Sequence, residues 1–230
     1  MLDLIIEGDG EKQLAFEVRK MVNSGLSSRN QEAAQKHLDE IKKEGINIQV
    51  EKTPIFFPKL PDRITTSNIV EVLAGSRTCG EAEPVLLIGK DEMYVAVGSD
   101  HSDRELEKHD LVVSKQMCPN VISKKVWRYE DIKGHWDDII LRGWVVEADG
   151  TRQLYQEGKL GAFMAIKDFL DKTKEHIEGD LTGAVIFVGT VPTLGGKLIY
   201  TPGFEAELVD EHTGRTLTCA YSLAPMTWFK

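Results

Sequence analysis

The stretch from Glu81 to Arg104 leaves this chain few ways to fold. Two apolar runs, P-V-L-L-I-G at 84–89 and M-Y-V-A-V-G at 93–98, are separated only by Lys90, Asp91 and Glu92. Runs this short, bounded by turn residues, read as buried strands rather than helices. So short a connection forces them into an antiparallel hairpin. Acidic residues stand at its open end, with Glu81 and Glu83 opening the first run and Asp100 closing the second. Residues two apart on a strand share a face. Glu81 and Glu83 therefore point together, and the hairpin returns Asp100 beside them. Three carboxylates held this close repel one another unless a positive charge lies between them. A hard divalent cation with oxygen ligands, Mg²⁺ or Mn²⁺, is the natural occupant. The alternative is a solvated, merely acidic strand end.

The rest of the pattern is strand-rich. Residues 2–6 and 14–18 read as two strands about the turn signal Asp9-Gly10. Asn23, Ser24 and Gly25 break the pattern, and Ser27 or Ser28 is placed to cap a helix running to about Glu44. Ala34, Leu38 and Ile41 form its apolar stripe, and Gly45 ends it. Ile46, Ile48 and Val50 alternate as a short strand. Pro54, Pro58 and Pro61 then punctuate a connecting segment. The spacing predicts a small N-terminal αβ subdomain over residues 1–60 and a main body over 61–230. In the main body, residues 139–146 and 153–156 flank Asp149-Gly150 as a second hairpin. Residues 161–177 carry the one later helix, and 184–188, 204–209 and 216–220 read as strands. The sum is a β-rich α+β protein.

Composition narrows the function classes. The 230 residues carry a net charge of −9, and no basic stripe is present to neutralise phosphates, which argues against a nucleic-acid surface. Cys79, Cys118 and Cys219 are far apart and form no C-x-x-C pair, so zinc ribbons and dithiol redox sites are not expected. A reducing cytoplasm is the simplest compartment. No run approaches the roughly 20 apolar residues that cross a bilayer, and residues 1–7 lack the features of a signal peptide.

The ordered motifs resemble those of the fumarylacetoacetate hydrolase superfamily over roughly residues 60–220. E-A-E at 81–83 resembles the family's E-x-E metal motif, and G-S-D-H-S-D-R at 98–104 its G-N-D-x-S-x-R segment. S-K-Q-M-C-P at 114–119 resembles K-S-F-D-x-F-C-P, with the serine ahead of the lysine here, and V-G-T-V-P at 188–192 resembles the T-G-T-P loop. The chain looks closest to a less characterised branch marked by the second and third of these segments. The resemblance implies a mixed β-roll, usually a homodimer. It also implies a small 2-oxo acid as substrate and an enolate intermediate at the metal. Hydrolysis of a C–C bond in an acylpyruvate-like acid is the first expectation. Dehydration of a 2-keto-3-deoxy acid or decarboxylation of an oxaloacetate-type acid is the alternative, and a non-catalytic metabolite-binding protein is a third class.

The same resemblance assigns roles. Glu81, Glu83 and Asp100 would hold the metal. Lys115 would stabilise enolate charge. Arg104, whose planar fork suits a carboxylate, would orient the substrate, unless it merely pairs with Asp103 or Glu107. Thr190 would bind the substrate carboxylate or serve only as a turn residue. His37 and Glu40, three apart on a helix, resemble the family's H-x-x-E lid dyad that activates water or moves a proton. P-I-F-F-P-K at 54–59 resembles the P-x-x-F-x-K-P that follows the lid. Two departures bear on specificity. Glu107 stands where several members place a substrate-touching glutamine, and would repel a second substrate carboxylate in favour of an amine or hydroxyl. His101 replaces an apolar or small residue and would support the metal ligands or touch substrate.

Overall fold

The hairpin read from residues 84–98 forms the spine of the largest of three sheets among the described residues of the computed structural model, which describes residues 1–8, 10–32, 34, 35, 38, 39 and 51–228. The chain opens with β1 (Leu2–Gly8), β2 (Gly10–Phe16) and β3 (Lys20–Gly25). β1 and β2 pair about the predicted turn, with Gly8 opposite Gly10. Asn23 and Ser24 do not break the pattern as expected but lie within β3. Their polar side chains are buried, and the Asn120 side-chain amide donates to Asn23 Oδ1 at 3.2 Å. A polar contact across the sheet is compatible with a strand that composition alone disfavours.

Residues 31, 32, 34, 35, 38 and 39 are helical, and Ser28 Oγ accepts from the Asn30 N–H just ahead of them. The helix end expected near Glu44 and the strand expected at 46–50 lie outside the described residues. β4 (Ile55–Lys59) replaces the expected connecting segment. It pairs antiparallel with β3, with Phe57 opposite Asn23. Pro58 sits on the sheet's edge strand, where a missing N–H is tolerated.

The main body continues through β5 (Ile64–Thr65), β6 (Ile69–Leu73), β7 (Thr78–Cys79), β8 (Ala82–Ile88), β9 (Met93–Ser99) and β10 (Ser102–Asp103). Two short helices that periodicity does not reveal follow, α1 (Arg104–Glu107) and α2 (Leu111–Met117). Their signal lies in the caps. Asp103 accepts from the N–H groups of Glu105 and Leu106, and Asp110 accepts from that of Val113, as aspartates do at helix starts. Next come β11 (Asn120–Ile122), β12 (Lys125–Arg128), α3 (Tyr129–Ile132), β13 (Ile140–Val146) and β14 (Arg152–Lys159). The helix expected over 161–177 is shorter, α4 (Ile166–Lys174). Residues 162–164 are drawn off by the N-terminal segment: Arg29 N–H donates to Ala162 C=O at 2.8 Å, and Met164 N–H donates to Ser27 C=O at 2.8 Å. β15 (Ala184–Phe187), β16 (Gly203–Asp210) and β17 (Arg215–Met226) complete the chain.

The ten-stranded sheet runs β2-β1-β12-β9-β8-β15-β3-β4, with β11 bonded to β9 and β5 alongside. Residues on either side of position 60 thus share one sheet. A five-stranded sheet runs β14-β13-β16-β17-β6. Parallel and antiparallel pairs mix in both, so the protein is a mixed-sheet α+β fold. Leu86, Val95 and Val97 pack in one core with Leu141, Phe204, Ala206 and Leu217 of the second sheet. Val85, Leu87 and Ala96 join a separate core with Leu4, Phe16 and Val126. Burial on both faces explains why β8 and β9 read as unbroken apolar runs rather than alternating ones. No described helix is long and apolar enough to cross a membrane.

Candidate metal and substrate site

The open end of the β8–β9 hairpin gathers the predicted carboxylates. Glu83 lies opposite Gly98 across the ladder, and Asp100 N–H donates to Glu81 C=O at 3.1 Å. One oxygen from each of Glu81, Glu83 and Asp100 lies within 4.8 Å of the others. Glu83 and Asp100 are each 2% exposed, whereas Glu81 is half-buried. Asp100 Oδ1 is buried and accepts no hydrogen bond. A buried carboxylate oxygen without a donor is costly. Three hard oxygen donors with one lone pair left over fit Mg²⁺ or Mn²⁺, which prefer carboxylate oxygens and keep other positions for water or substrate.

Cations surround the trio. Lys115, on α2, donates to both Asp100 Oδ2 and Ser102 Oγ, the latter at 3.1 Å. It also lies 3.3 Å from Glu107 Oε1 and 3.9 Å from Glu81 Oε2. Burial opposes its charged form, but Asp100, Glu81 and Glu107 outweigh that and hold the ammonium charged beyond the ordinary lysine range. Burial likewise disfavours the Asp100 carboxylate, yet Lys115 and Lys59 hold its pKa down at about 2. Arg104 Nη1 donates to Glu107 Oε2 at 2.8 Å, Nη2 lies 3.3 Å from Glu81 Oε2, and Nε donates to Cys79 Sγ at 2.9 Å. The ion pair with Glu107 weighed from the sequence is therefore formed.

Gly189 carries a φ of +115°, a conformation costly for any side chain, and its N–H donates to Glu83 Oε2 at 2.8 Å. The next residue, Thr190, donates to Ala82 C=O at 2.8 Å and accepts from Gln156 Nε2 at 2.7 Å. Thr190 thus touches the backbone between the two glutamates, tying the loop after β15 to the start of β8. His101 turns to another partner. Its Nδ1 lies 2.8 Å from the Tyr221 hydroxyl, which in turn lies 2.9 Å from Ser99 Oγ. Burial, reinforced by the nearby Arg104 charge, lowers the His101 pKa to about 3, leaving the ring neutral. His37 and Glu40 lie outside the described residues.

Three participants escaped sequence reasoning. Lys59, at the end of β4, has a fully buried side chain 3.9 Å from Asp100 Oδ1 and bonds Asn120 Oδ1. Burial, with the Lys115 charge adding to it, lowers its pKa to about 8 against the pull of Asp100. A lysine inside the apolar I-F-F-P-K run was the available signal. Gln156 bridges Ala82 N–H and Thr190, and Tyr221 anchors Ser99 and His101. Both lie on the second sheet's strands, more than 50 residues from the trio, where spacing carries no information.

Residues 24–221 match the family described as "Protein of unknown function (DUF2848)". The chain belongs to this family. No curated protein sequence matches it. Among solved structures, that of Cg1458 superposes with a TM-score of 0.66 at 16% identity, covering 97% of this chain and 88% of that one. A 2-keto-3-deoxyarabinonate dehydratase gives 0.66 at 14% identity over 96% of this chain and 79% of that one. The 2-keto-3-deoxy-D-arabinonate dehydratase complexed with magnesium and 2,5-dioxopentanoate gives 0.62 at 14% identity, with the same coverage. At these identities the likeness is one of fold.

The trio's electrostatics predict a linkage. Burial, then the Asp100 and Glu81 charges, raise the Glu83 pKa well above its ordinary 4.5. Without metal, Glu83 therefore keeps its proton at pH values where a free glutamate has lost it. A dication requires the ionised form, so binding should release up to one proton from Glu83. Affinity should rise with pH until Glu83 ionises unaided. Calorimetric titration of Mn²⁺ in buffers of different ionisation enthalpy measures this; no proton release between pH 5 and 6 would contradict it.

Proposed function

We propose that this protein is a divalent-metal-dependent enzyme acting on a small 2-oxo acid, and that its reaction is of the lyase type, a dehydration of a 2-keto-3-deoxy acid. The observation that carries the reading is the three-carboxylate cluster with an unpartnered Asp100 oxygen, set against the buried ammonium of Lys115. The fold shared with a magnesium-bound dehydratase supports it. A bound Mg²⁺ or Mn²⁺ supplies Lewis-acid polarisation of the 2-oxo group. Glu81, Glu83 and Asp100 hold it. Lys115 offers fixed positive charge where enolate charge would develop, held in place by Asp100 and Ser102. Arg104 fixes the position of Glu81, and Thr190 with Gln156 holds the loop that braces Glu83. Dehydration then removes a proton from carbon 3 and hydroxide from carbon 4, which leave together as water.

Hydrolysis of a C–C bond on the same site is the second reading, favoured by the H-x-x-E spacing of His37 and Glu40. Both reactions need a group to take a proton, and hydrolysis alone needs an attacking water. Assay of the Mg²⁺-loaded chain against 2-keto-3-deoxy acids, acylpyruvates and oxaloacetate separates the cases. Dehydration that stops on chelation supports the proposal. If acylpyruvate cleavage dominates and His37→Ala lowers it by about 10²–10⁴-fold, the hydrolase reading replaces it. Metal binding without turnover of any member leaves a metabolite-binding protein.

A further inference from the structure

Glu107 deepens that reading, and the inference rests on it. Seven charged side chains form one connected, buried or half-buried network: Lys59, Glu81, Glu83, Asp100, Arg104, Glu107 and Lys115. Once all four carboxylates are ionised they outnumber the three cations by one among the described residues. A bound dication turns that deficit into a single net positive charge. One substrate carboxylate cancels it. A second would leave the site with an uncompensated negative charge, which a region of low polarisability resists.

The geometry makes Glu107 the residue that sets this balance. It is not a metal-facing group: its two oxygens span Arg104 Nη1 at 2.8 Å and Lys115 Nζ at 3.3 Å. Those are the two cations to which a distal substrate carboxylate would otherwise turn. Glu107 therefore occupies, from within the protein, the place of a second carboxylate. Its Oε1 is buried and accepts no hydrogen bond, so it retains capacity for a donor. We propose that Glu107 is a specificity-determining residue that restricts the site to monocarboxylic 2-oxo acids whose far end carries a hydroxyl or amine, and excludes 2-oxo diacids. A glutamine here would remove the negative charge between Arg104 and Lys115 that a second carboxylate would otherwise meet.

The test uses the full-length Mg²⁺-loaded chain and two probes of matched length, 5-hydroxy-2-oxopentanoate and 2-oxoglutarate, with binding measured by calorimetry. Wild type should favour the hydroxy acid by about tenfold or more, the equivalent of one modest like-charge contact. Glu107→Gln should shrink or invert that ratio, chiefly by tightening 2-oxoglutarate. A wild-type preference for 2-oxoglutarate, or a ratio unmoved in E107Q, overturns the assignment of Glu107 alone. If Mg²⁺ binds but neither acid does, the 2-oxo acid reading itself falls and the assignment with it. Should E107Q fail to fold, the wild-type ratio still decides, because equal affinity for both probes refutes exclusion of the diacid.

Discussion

Asp100→Asn should abolish tight metal binding and destabilise the fold together. Asp100 stands at the junction of both networks, holding Lys115 through Oδ2, facing Lys59 through Oδ1, and offering one oxygen within 4.8 Å of the other two carboxylates. The amide preserves the shape but carries no charge. Lys115 then loses the partner that does most to keep it charged. Breaking a buried pair from one side costs about 3–5 kcal/mol. For a chain of this length each kcal/mol moves the melting midpoint by about 2–4 °C, so a fall of roughly 10 °C is expected. Losing one of three anionic ligands should weaken Mn²⁺ binding by at least about 100-fold, since even an indirect partner of a ligand is worth 10–100-fold. Calorimetry and thermal unfolding with and without Mn²⁺ measure both. Wild type should gain stability from the metal by mass action, and the variant should gain none. An Asp100→Asn protein still stabilised by micromolar Mn²⁺ would remove these carboxylates from the metal site.

How much of this was legible beforehand follows from the range of each interaction. The hairpin and its carboxylates were readable because everything that sets them is local. Residues 84–89 and 93–98 are each an unbroken run without charge, the turn between them is three residues long, and side-chain direction alternates strictly along a strand. β3 and β4 were misread because their character comes from distant partners. Asn23 and Ser24 look like a break until β15 and β4 pair with their backbone and Asn120 bonds the Asn23 side chain. Pro58 looks like a linker until β4 proves to be an edge. α4 was drawn too long because the apolar spacing of Phe163 and Ile166 fits a helix, while Ser27 and Arg29 hold residues 162–164 in another conformation. In the site, the metal trio and Lys115 carried their own signatures. Lys59 carried only the oddity of a lysine in an apolar run, and Gln156 and Tyr221 carried nothing, since each enters from a strand whose position depends on the whole topology.

Lys115→Met should separate chemistry from metal binding, because the two are expected to move in opposite directions. The side chain is nearly as long and largely apolar, so the volume beside Asp100 stays filled. What disappears is a positive charge bonded to Asp100, 3.3 Å from Glu107 and 3.9 Å from Glu81. That charge competes with a dication for the same carboxylates. Its removal leaves them less compensated, and Mn²⁺ affinity should hold or rise. Under the proposed reaction the same charge stabilises the developing enolate, so turnover should fall by about 10²–10³-fold, the range seen when one preorganised donor is removed from an active site. The substrate's ground state carries no enolate charge, so the loss should fall on kcat more than on KM. A lysine that only braced Asp100 would behave differently: its loss would disorder a metal ligand, and metal affinity would drop along with turnover. Parallel loss of both would therefore reassign Lys115 to positioning. Unchanged turnover would reject electrostatic catalysis from α2, leaving the Lewis acid alone to account for the rate.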